Sequence, residues 1–406
     1  MNKEVRKEKI QEVINSCKDR TDLLNHEIMW EGQLKTEKVY NIPLSYLIYN
    51  KYNGRILSRT KSLEKQNQII DVETEVGRDL IEKLLWESKI DRNKKTLQSI
   101  RGFGQQKVGI ITKDGVIIDG NRRAMLLNKI DRTRYFKAIV LPVTLEENPI
   151  EIERLETTYQ MGEDEKLGDN PIEKYLKAKQ IFDKLTPKIT TTEAIKSISD
   201  WMGEKESEVK KYLDTMAVMD EYLEYLDYDG LYTRLDKAED QFLSLTKWLN
   251  TFYHSESKKG FDGYENLDVD ELKFIAFDYI RLRGRTGQGN YDGKEFRSLA
   301  EGNKERHFFG DKDIWKNFSS KHREISSDLP EEPQIDFNSK NLDKHLDGRD
   351  SLYFESSKFD NDTSAFIENL NDHKYEIGYN NAADAPGKLI KRASQTFEAI
   401  KTGHSA

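Results

Sequence analysis

Residues 115–130, with the sequence GVIIDGNRRAMLLNKI, decide the fold expected for this chain. A short β-branched run ends in an Asp-Gly pair, two adjacent arginines follow, and the apolar spacing of a helix comes next. A strand that leads straight into a helix leaves backbone N–H groups open at the helix start, where the helix dipole favours an anion. Arg122 and Arg123 add charge and forked donors at the same corner. The stretch therefore has the outline of a phosphate site, although a capped helix with two solvated arginines fits the same five residues.

Two more residues at this corner are candidates for a site. Gly120 permits a positive φ, or a close approach of the backbone to a ligand, because it has no side chain. Asp119 is suited to capping the helix, to contacting a ribose hydroxyl, or to contacting a metal ion. Both residues stand where a phosphate-bearing ligand would meet the chain, so both belong to the predicted site.

The sequence on either side of the corner predicts a mixed domain followed by helices. Residues 108–120, VGIITKDGVIIDG, hold two β-branched runs separated by Lys-Asp-Gly, which is a strong β-hairpin signal. Residues 135–143 read as a strand, Pro43 opens a strand and a turn, and residues 1–39 and 62–100 have helical spacing. The predicted fold class is α+β, a mixed domain followed by a mostly α-helical C-terminal half. The predicted domains are a helical extension at 1–39, the mixed domain at 40–150, a helical domain at 151–250, a basic and aromatic helical region at 251–330, and an acidic connector with C-terminal helices at 331–406.

Composition limits the class of protein. A chain of 406 residues with 36% hydrophobic content is long enough for two or three packed domains. It has no apolar run that approaches the roughly 18 residues of a membrane span. Its charged first residues lack the apolar core of a signal peptide. We therefore expect a cytoplasmic protein without a membrane partner. The single cysteine, Cys17, excludes an internal disulfide and a multi-cysteine zinc site, and we assign no metal-ligating residues. The net charge of −8 argues against general coating of nucleic acid but leaves room for a local basic face.

Three segments carry a resemblance to a known family. NIPLSYLIYNKYNGRI at 41–56, LQSIRGFGQQKVGIITKDGVIIDGNRRAMLL at 97–127 and NPIEKYLKAKQI at 170–181 occur in the order of the conserved boxes of the ParB and sulfiredoxin-like superfamily. The resemblance implies a ParB/sulfiredoxin-like nucleotide-binding domain that leads into a helical DNA-binding domain. It also implies a nucleoside triphosphate, CTP or another, as the cofactor, together with Mg²⁺. By position, the residues implied to bind the nucleotide are Asn53, Gly54, Arg55, Gln105, Gly120, Arg122, Arg123 and Gln160.

The chain also departs from the family pattern. ParB proteins carry a hydrolytic glutamate where this chain has Asn121, and an amide cannot act as a carboxylate base. Sulfiredoxin has its catalytic cysteine at the same place, so that activity is not expected here. The third box keeps Gln160 but has Thr158 and Met161 where the family has Asn and Arg, with the acidic run at 163–165 as a substitute source of metal ligands. Asp119 and Asn121 remain the candidate catalytic residues.

Two regions of the C-terminal half are candidates for contacting DNA. Residues 189–218 have the layout of a helix-turn-helix, with a threonine-capped helix and Gly203 at the turn, but the second helix starts with glutamates that would repel phosphate. A scaffold or partner-binding use of this unit fits equally well. Residues 281–323 contain eleven Lys and Arg against six Asp and Glu, with aromatic residues interleaved, which suits nucleic acid but also a solvated loop beside a small core. The residues predicted to bind DNA are Arg281, Arg283 and Arg285.

These observations favour a ParB-like protein that couples nucleotide binding to the binding of DNA or a partner protein, a second copy of the chain included. A competing hypothesis is a ParB-like NTPase or nuclease of a DNA-modification or antiphage system, in which Asp119 of the motif DGNRR takes part in the chemistry. A third is a non-catalytic adaptor whose ancestral pocket is degenerate, as the change at Asn121 and in the third box permits.

Overall fold

The computed structural model describes residues 1–377 except 67, 131–134, 165–169, 255, 284–294, 338, 340 and 359–363, and the side chains at 161–164 and 295 also lie outside the description. The chain divides into two compact units, residues 1–236 and 237–406. The first unit is mixed α and β, and the second is helical where it is described. The protein is thus of the α+β class with a helical C-terminal half.

The first unit is built on a five-stranded mixed sheet. Its strands are β3 (Tyr40–Pro43), β4 (Ile48–Tyr49), β5 (Gly109–Ile111), β6 (Val116–Asp119) and β7 (Tyr135–Val140), and their order in the sheet is β3-β7-β5-β6-β4. β5 and β6 form the antiparallel hairpin that the Lys-Asp-Gly turn predicts, while β4–β6 and β5–β7 are parallel pairs. The hairpin brings the end of β6 into the middle of the unit, next to the end of β4.

Helices cover both faces of this sheet. The helices of the first unit are α1 (Lys3–Ser16), α2 (Leu57–Lys65), α3 (Glu75–Ser88), α4 (Ile90–Phe103), α5 (Asn121–Asn128), α6 (Pro149–Asp164), α7 (Pro171–Leu185), α8 (Thr191–Met202) and α9 (Glu206–Tyr225). Side chains alternate along the strands, so Ile117 packs into the core that contains α3 and α5, and Ile118 packs into the core beneath α6. Burial on both faces explains why the central strands β5 and β6 are apolar runs, whereas β7 alternates buried and exposed positions along its first half.

The region 1–39 differs from the helical prediction in its second half. α1 forms as expected, but residues from Asn25 onward make an antiparallel hairpin of β1 (Asn25–Trp30) and β2 (Gln33–Lys38). Glu31 and Gly32 both have positive φ, 51° and 74°, as the central residues of a tight type I′ hairpin turn do. Ile28 and Trp30 point inward at a spacing of two, so the prediction of helix for this segment was wrong.

Residues 189–218 form two helices joined by a turn, as the sequence predicts. Thr190 and Glu193 make a reciprocal capping box at the start of α8, and Gly203 ends that helix in the left-handed conformation with φ 68°. Of the glutamates at the start of the second helix, Glu204 pairs with Lys174 of α7, whereas Glu206 is exposed. The helix pair is therefore present, and one of these glutamates takes part in packing.

The second unit is held by aromatic packing. Its long helices are α10 (Glu239–Phe252), α11 (Asn266–Arg283), α12 (Lys312–Ser327) and α13 (Leu342–Ser356). Phe296 stacks on Trp248 at 4.7 Å between ring centroids, and Phe308 lies 4.7 Å from Phe318. The aromatic residues at 296–309 therefore form a core rather than a nucleic-acid surface. Within the described chain, no helix is both long enough and apolar enough to cross a membrane.

Candidate functional site

The corner between β6 and α5 has the geometry that its sequence predicts. Gly120 has φ +101°, in the left-handed region, and a Cβ atom there would lie 2.7 Å from Cζ of Phe136. Glycine is therefore needed both for the turn and for the close contact with the ring. No side chain caps the first turn of α5, so its leading N–H groups are not used by a capping side chain.

The two arginines of the corner have different surroundings. Arg123 folds back over Gly120 and donates from Nη2 to Oδ2 of Asp119 at 2.5 Å, with both side chains mostly buried. Arg122 is buried, and its Nη2 lies 3.4 Å from Oγ of Ser88 at the end of α3. Asp119 is thus the counter-ion of Arg123 rather than a helix cap, and a phosphate would have to share or replace that contact.

Asn121, the other candidate catalytic residue, ties two backbone segments together. Its Oδ1 accepts the backbone N–H of Asn50 at 2.9 Å, and its Nδ2 donates to the carbonyl of Ile117 at 3.0 Å. The side chain is 2% exposed. These bonds use both ends of the amide, and they hold the loop after β4 against the start of α5.

That loop, residues 50–55, is fixed from the other side by a buried carboxylate. Asn50 and Asn53 each donate from Nδ2 to one oxygen of Glu156 on α6, both at 3.3 Å. Asn53 Oδ1 in turn accepts the backbone N–H of Arg55 at 3.3 Å. Arg55 is half-buried, at the end of a loop that Glu156 and Asn121 position together.

Gln160 packs directly against the same loop. A Cβ at Gly54 would meet its Oε1 at 2.5 Å, so a side chain at Gly54 would push the amide away. Gln160 is 3% exposed, its Nε2 donates to Glu156 at 3.0 Å, and its Oε1 has no partner among the described residues. Gly54 and Gln160, two of the residues that the resemblance implies bind the nucleotide, are therefore neighbours.

Gln105 bonds to the backbone of β7 and of the segment before β5. Its Nε2 donates to the carbonyls of Lys107 and Lys137, both at 2.8 Å, and its Oε1 accepts the N–H of Lys137 at 2.8 Å. The amide thus takes the place of a neighbouring strand beside β7. Its predicted contact with a nucleotide would have to compete with three backbone hydrogen bonds.

Sequence reasoning missed a buried charged cluster under the 50–55 loop. Lys177 of α7 is fully buried between Glu153 and Glu156, and Lys184 reaches Glu153 from a half-exposed position. Burial opposes the charge on Glu153, but Lys177 and Lys184 outweigh it and lower the pKa of Glu153 to about 2. Burial is the dominant effect on Glu156 and raises its pKa. Burial opposes the charge on Lys177, but the carboxylates of Glu153 and Glu156 outweigh it and raise the pKa of Lys177. The available signal was the position of Lys177 on the apolar stripe of α7 with Ile181 and Leu185.

A second missed group is Glu173, which stands within the segment NPIE. Its carboxyl accepts the backbone N–H of Ser58 at 2.9 Å and the Ser58 hydroxyl at 2.6 Å. Ser58 is in the first turn of α2, which lacks a side-chain cap of its own, so a residue of α7 caps α2. Burial raises the pKa of Glu173 to about 7, although the bonds from Ser58 oppose this.

The three arginines predicted to bind DNA do not form an exposed group. Arg281 is 5% exposed, donates from Nη1 and Nη2 to Glu332 at 2.6 and 2.7 Å, and from Nε to Asp350 at 2.9 Å. Arg283 pairs with Asp240 at 2.8 Å, and Arg285 lies outside the described residues. Since DNA must reach cations at the surface, the expectation of a surface role for Arg281 is corrected by its burial and its two carboxylate partners.

The Mg²⁺ that the resemblance implies stays a prediction. Within the described residues, no group of three His, Cys, Asp or Glu side chains is arranged to hold a metal ion. The acidic run at 163–165, expected to supply metal ligands, has its side chains outside the described residues.

The chain was compared with known proteins at three levels. No protein-family model, no curated protein and no solved structure matched it.

Proposed function

We propose that the first unit binds a nucleoside triphosphate at the corner of residues 119–123 and couples its occupancy to the binding of DNA or a partner protein, as the resemblance to ParB proteins implies. One observation carries the proposal: the loop 50–55 lies against the uncapped start of α5, joined to it by the bond from Asn50 to Asn121. The proposal takes Arg55, on that loop, and Arg122 and Arg123, at the start of α5, to act on the same ligand.

Each part of the corner has a definite task in this proposal. The open N–H groups of α5 and the close backbone at Gly120 receive phosphate oxygens. Arg123 exchanges Asp119 for phosphate, or is shared by both, and Arg122 supplies further forked donors. Asp119, released from Arg123, is then placed to accept from a ribose hydroxyl. The identity of the base, CTP or another, is left to a titration with the four nucleotides.

The first prediction tests this phosphate site. Replacing both Arg122 and Arg123 with Ala should weaken nucleotide binding by about 1.5 to 3 kcal/mol or more, because a charge-assisted arginine contact is lost. Binding is measured by isothermal titration of the purified chain with each of the four nucleoside triphosphates, with and without Mg²⁺.

A matched control keeps the charge change but moves it away from the corner. Lys205→Ala with Lys210→Ala also removes two cations from the first unit, from exposed positions on or beside α9. It should leave nucleotide affinity unchanged. Nucleotide affinity that survives the arginine replacement intact would contradict the phosphate site.

The second prediction separates a binding protein from an enzyme. Because Asn121 is occupied by two backbone bonds and has no carboxylate, the wild type should bind nucleotide with little phosphate release. The competing enzyme hypothesis instead uses Asp119, so it requires turnover that Asp119→Asn stops while binding persists. Phosphate release is followed in a coupled assay for wild type and Asp119→Asn. Rapid hydrolysis that both proteins share would contradict both hypotheses and place the chemistry elsewhere.

A further inference from the structure

Four hydrogen-bond donors converge on the carboxylate of Glu156, a buried residue of α6. Its Oε2 faces Nδ2 of Asn50 and Nζ of Lys177, each at 3.3 Å. Its Oε1 faces Nδ2 of Asn53 at 3.3 Å and Nε2 of Gln160 at 3.0 Å. Both oxygens therefore act as acceptors, and the donors come from the loop 50–55, from α6 and from α7.

A group that only accepts determines how the two asparagine amides are turned. Because Nδ2 of each amide is directed at Glu156, its Oδ1 is left for the backbone of the loop. There Oδ1 of Asn50 accepts the N–H of Tyr52 at 3.0 Å, and Oδ1 of Asn53 accepts the N–H of Arg55 at 3.3 Å. Each is an Asx turn, in which the side chain bonds to the backbone two residues further on. The carboxylate thus bears on the backbone at Tyr52 and Arg55 through two amides.

The two ends of this segment are fixed by other side chains. At its start the N–H of Asn50 donates to Asn121, and beyond its end the N–H of Ser58 donates to Glu173. Backbone hydrogen bonds within the loop shape its turns. The contacts of the two asparagine amides with Glu156 add a tie between the middle of the loop and α6.

We propose that Glu156 is a positioning residue of the nucleotide site, which sets where the loop presents Arg55 to a phosphate. The inference rests on the proposed function and names a residue that acts on the ligand only through the loop. The carboxylate is needed because an amide in its place offers one acceptor and one donor. Only one of the two asparagines could then keep its orientation, and the other would lose its Asx turn.

The test replaces one carboxylate of the buried cluster at a time. Glu156→Gln removes an acceptor of the loop, whereas Glu153→Gln removes a carboxylate whose partners Lys177, Gln180 and Lys184 all belong to α7. Hydrogen exchange of peptides covering 50–56 is measured on the full chain without nucleotide. Urea denaturation gives the overall stability, and isothermal titration with each of the four nucleoside triphosphates gives the affinity.

We expect exchange of the 50–56 peptides to be roughly tenfold faster in Glu156→Gln than in wild type, and within about twofold of wild type in Glu153→Gln. Nucleotide should bind Glu156→Gln about tenfold more weakly, because part of an arginine–phosphate contact is lost, and Glu153→Gln within about threefold of wild type. Both variants leave Lys177 with one carboxylate, so their overall stabilities should be similar.

A variant with reversed polarity separates amide orientation from simple packing. When Asn53→Asp is added to Glu156→Gln, the new amide donates to the new carboxylate, whose second oxygen still accepts the N–H of Arg55. Gln160 can turn its amide to accept from the same donor, since its Oε1 has no partner among the described residues. Exchange and affinity should return to within about threefold of wild type.

The proposal is overturned if Glu156→Gln and Glu153→Gln exchange the loop equally fast, or if the reversed pair restores nothing. It is also overturned if wild type binds nucleotide and Glu156→Gln binds it as tightly. Should Glu156→Gln fail to fold, Asn53→Ala, which leaves the charged cluster whole, takes its place with the same expected acceleration of exchange. A wild type that binds none of the four nucleotides overturns the proposed function instead, and exchange of 50–56 then decides by itself whether Glu156 holds the loop.

Discussion

Lys177→Met should destabilise the first unit by about 3 to 5 kcal/mol, because it removes the shared counter-ion of two buried carboxylates. Lys177 is fully buried, and both Glu153 and Glu156 are less than one-tenth exposed. The side chain of Met fills most of the same space, so the loss reports the charge rather than a cavity. The free energy of unfolding is measured by urea denaturation of the full chain, with hydrogen exchange of α6 and α7 peptides assigning the transition to this unit.

The control uses a lysine that contacts the same carboxylate from a half-exposed position. Lys184 pairs with Glu153 but its side chain is 43% exposed, so Lys184→Ala should cost less than about 1 kcal/mol. Adding Glu156→Gln to Lys177→Met should recover part of the stability, because one of the two stranded carboxylates becomes neutral. A Lys177→Met protein as stable as wild type would show that the cluster contributes no net stability.

Glu173→Gln should change how the stability of the first unit depends on pH. The folded pKa of about 7 lies above the ordinary value of 4.5, so between these values the folded state keeps a proton that the unfolded state has released. The contribution of Glu173 to the free energy of unfolding is therefore most favourable below pH 4.5 and decreases as the pH rises. Above pH 7 this contribution is about 3 kcal/mol lower. Because glutamine does not titrate, the variant does not lose this stability as the pH rises. Its amide oxygen can still accept a hydrogen bond from the N–H of Ser58.

The measurement is the difference in unfolding free energy between Glu173→Gln and wild type at pH 5 and at pH 8. Between pH 5 and pH 8, the unfolding free energy of the variant relative to that of wild type should rise by up to about 3 kcal/mol. Glu206→Gln, at an exposed position in the first turn of α9, controls for the change in net charge. The same difference at both pH values would show that Glu173 does not hold its proton in the folded state.

Local signals predicted the centre of the first unit. The turn at Lys113 to Gly115 and the β-branched runs beside it fix the hairpin β5–β6, and Gly120 fixes the start of α5. Thr190 and Gly203 mark the two ends of α8 in the same way. Each of these features depends on residues within a few positions of one another, which is the range that sequence patterns report.

The features that sequence reasoning missed depend on distant partners. Residues 23–29 have spacing that fits a helix, but Ile28 and Trp30 are buried as strand residues in a core that includes Ile152 and Leu155 of α6. Lys177 meets Glu156 from 21 positions away, and Ser58 meets Glu173 from 115 positions away. No local pattern encodes such meetings, because they follow from how helices pack. The contact between Gly54 and Gln160 follows from packing in the same way.

The ion pairs of Arg281 also bear on where this protein can be shortened. Glu332 lies in the stretch expected to be a connector, yet it accepts two bonds from Arg281, and Arg349 Nε lies 2.8 Å from it. A truncated protein that ended near residue 330, at the predicted domain boundary, would lose both Glu332 and Asp350 and leave the guanidinium of Arg281 without either carboxylate. A buried charge deprived of such partners favours unfolding and aggregation over a trimmed but intact unit. Residues up to Asp350 therefore belong to the folded body of the second unit, and shortened versions of the protein should extend beyond that residue.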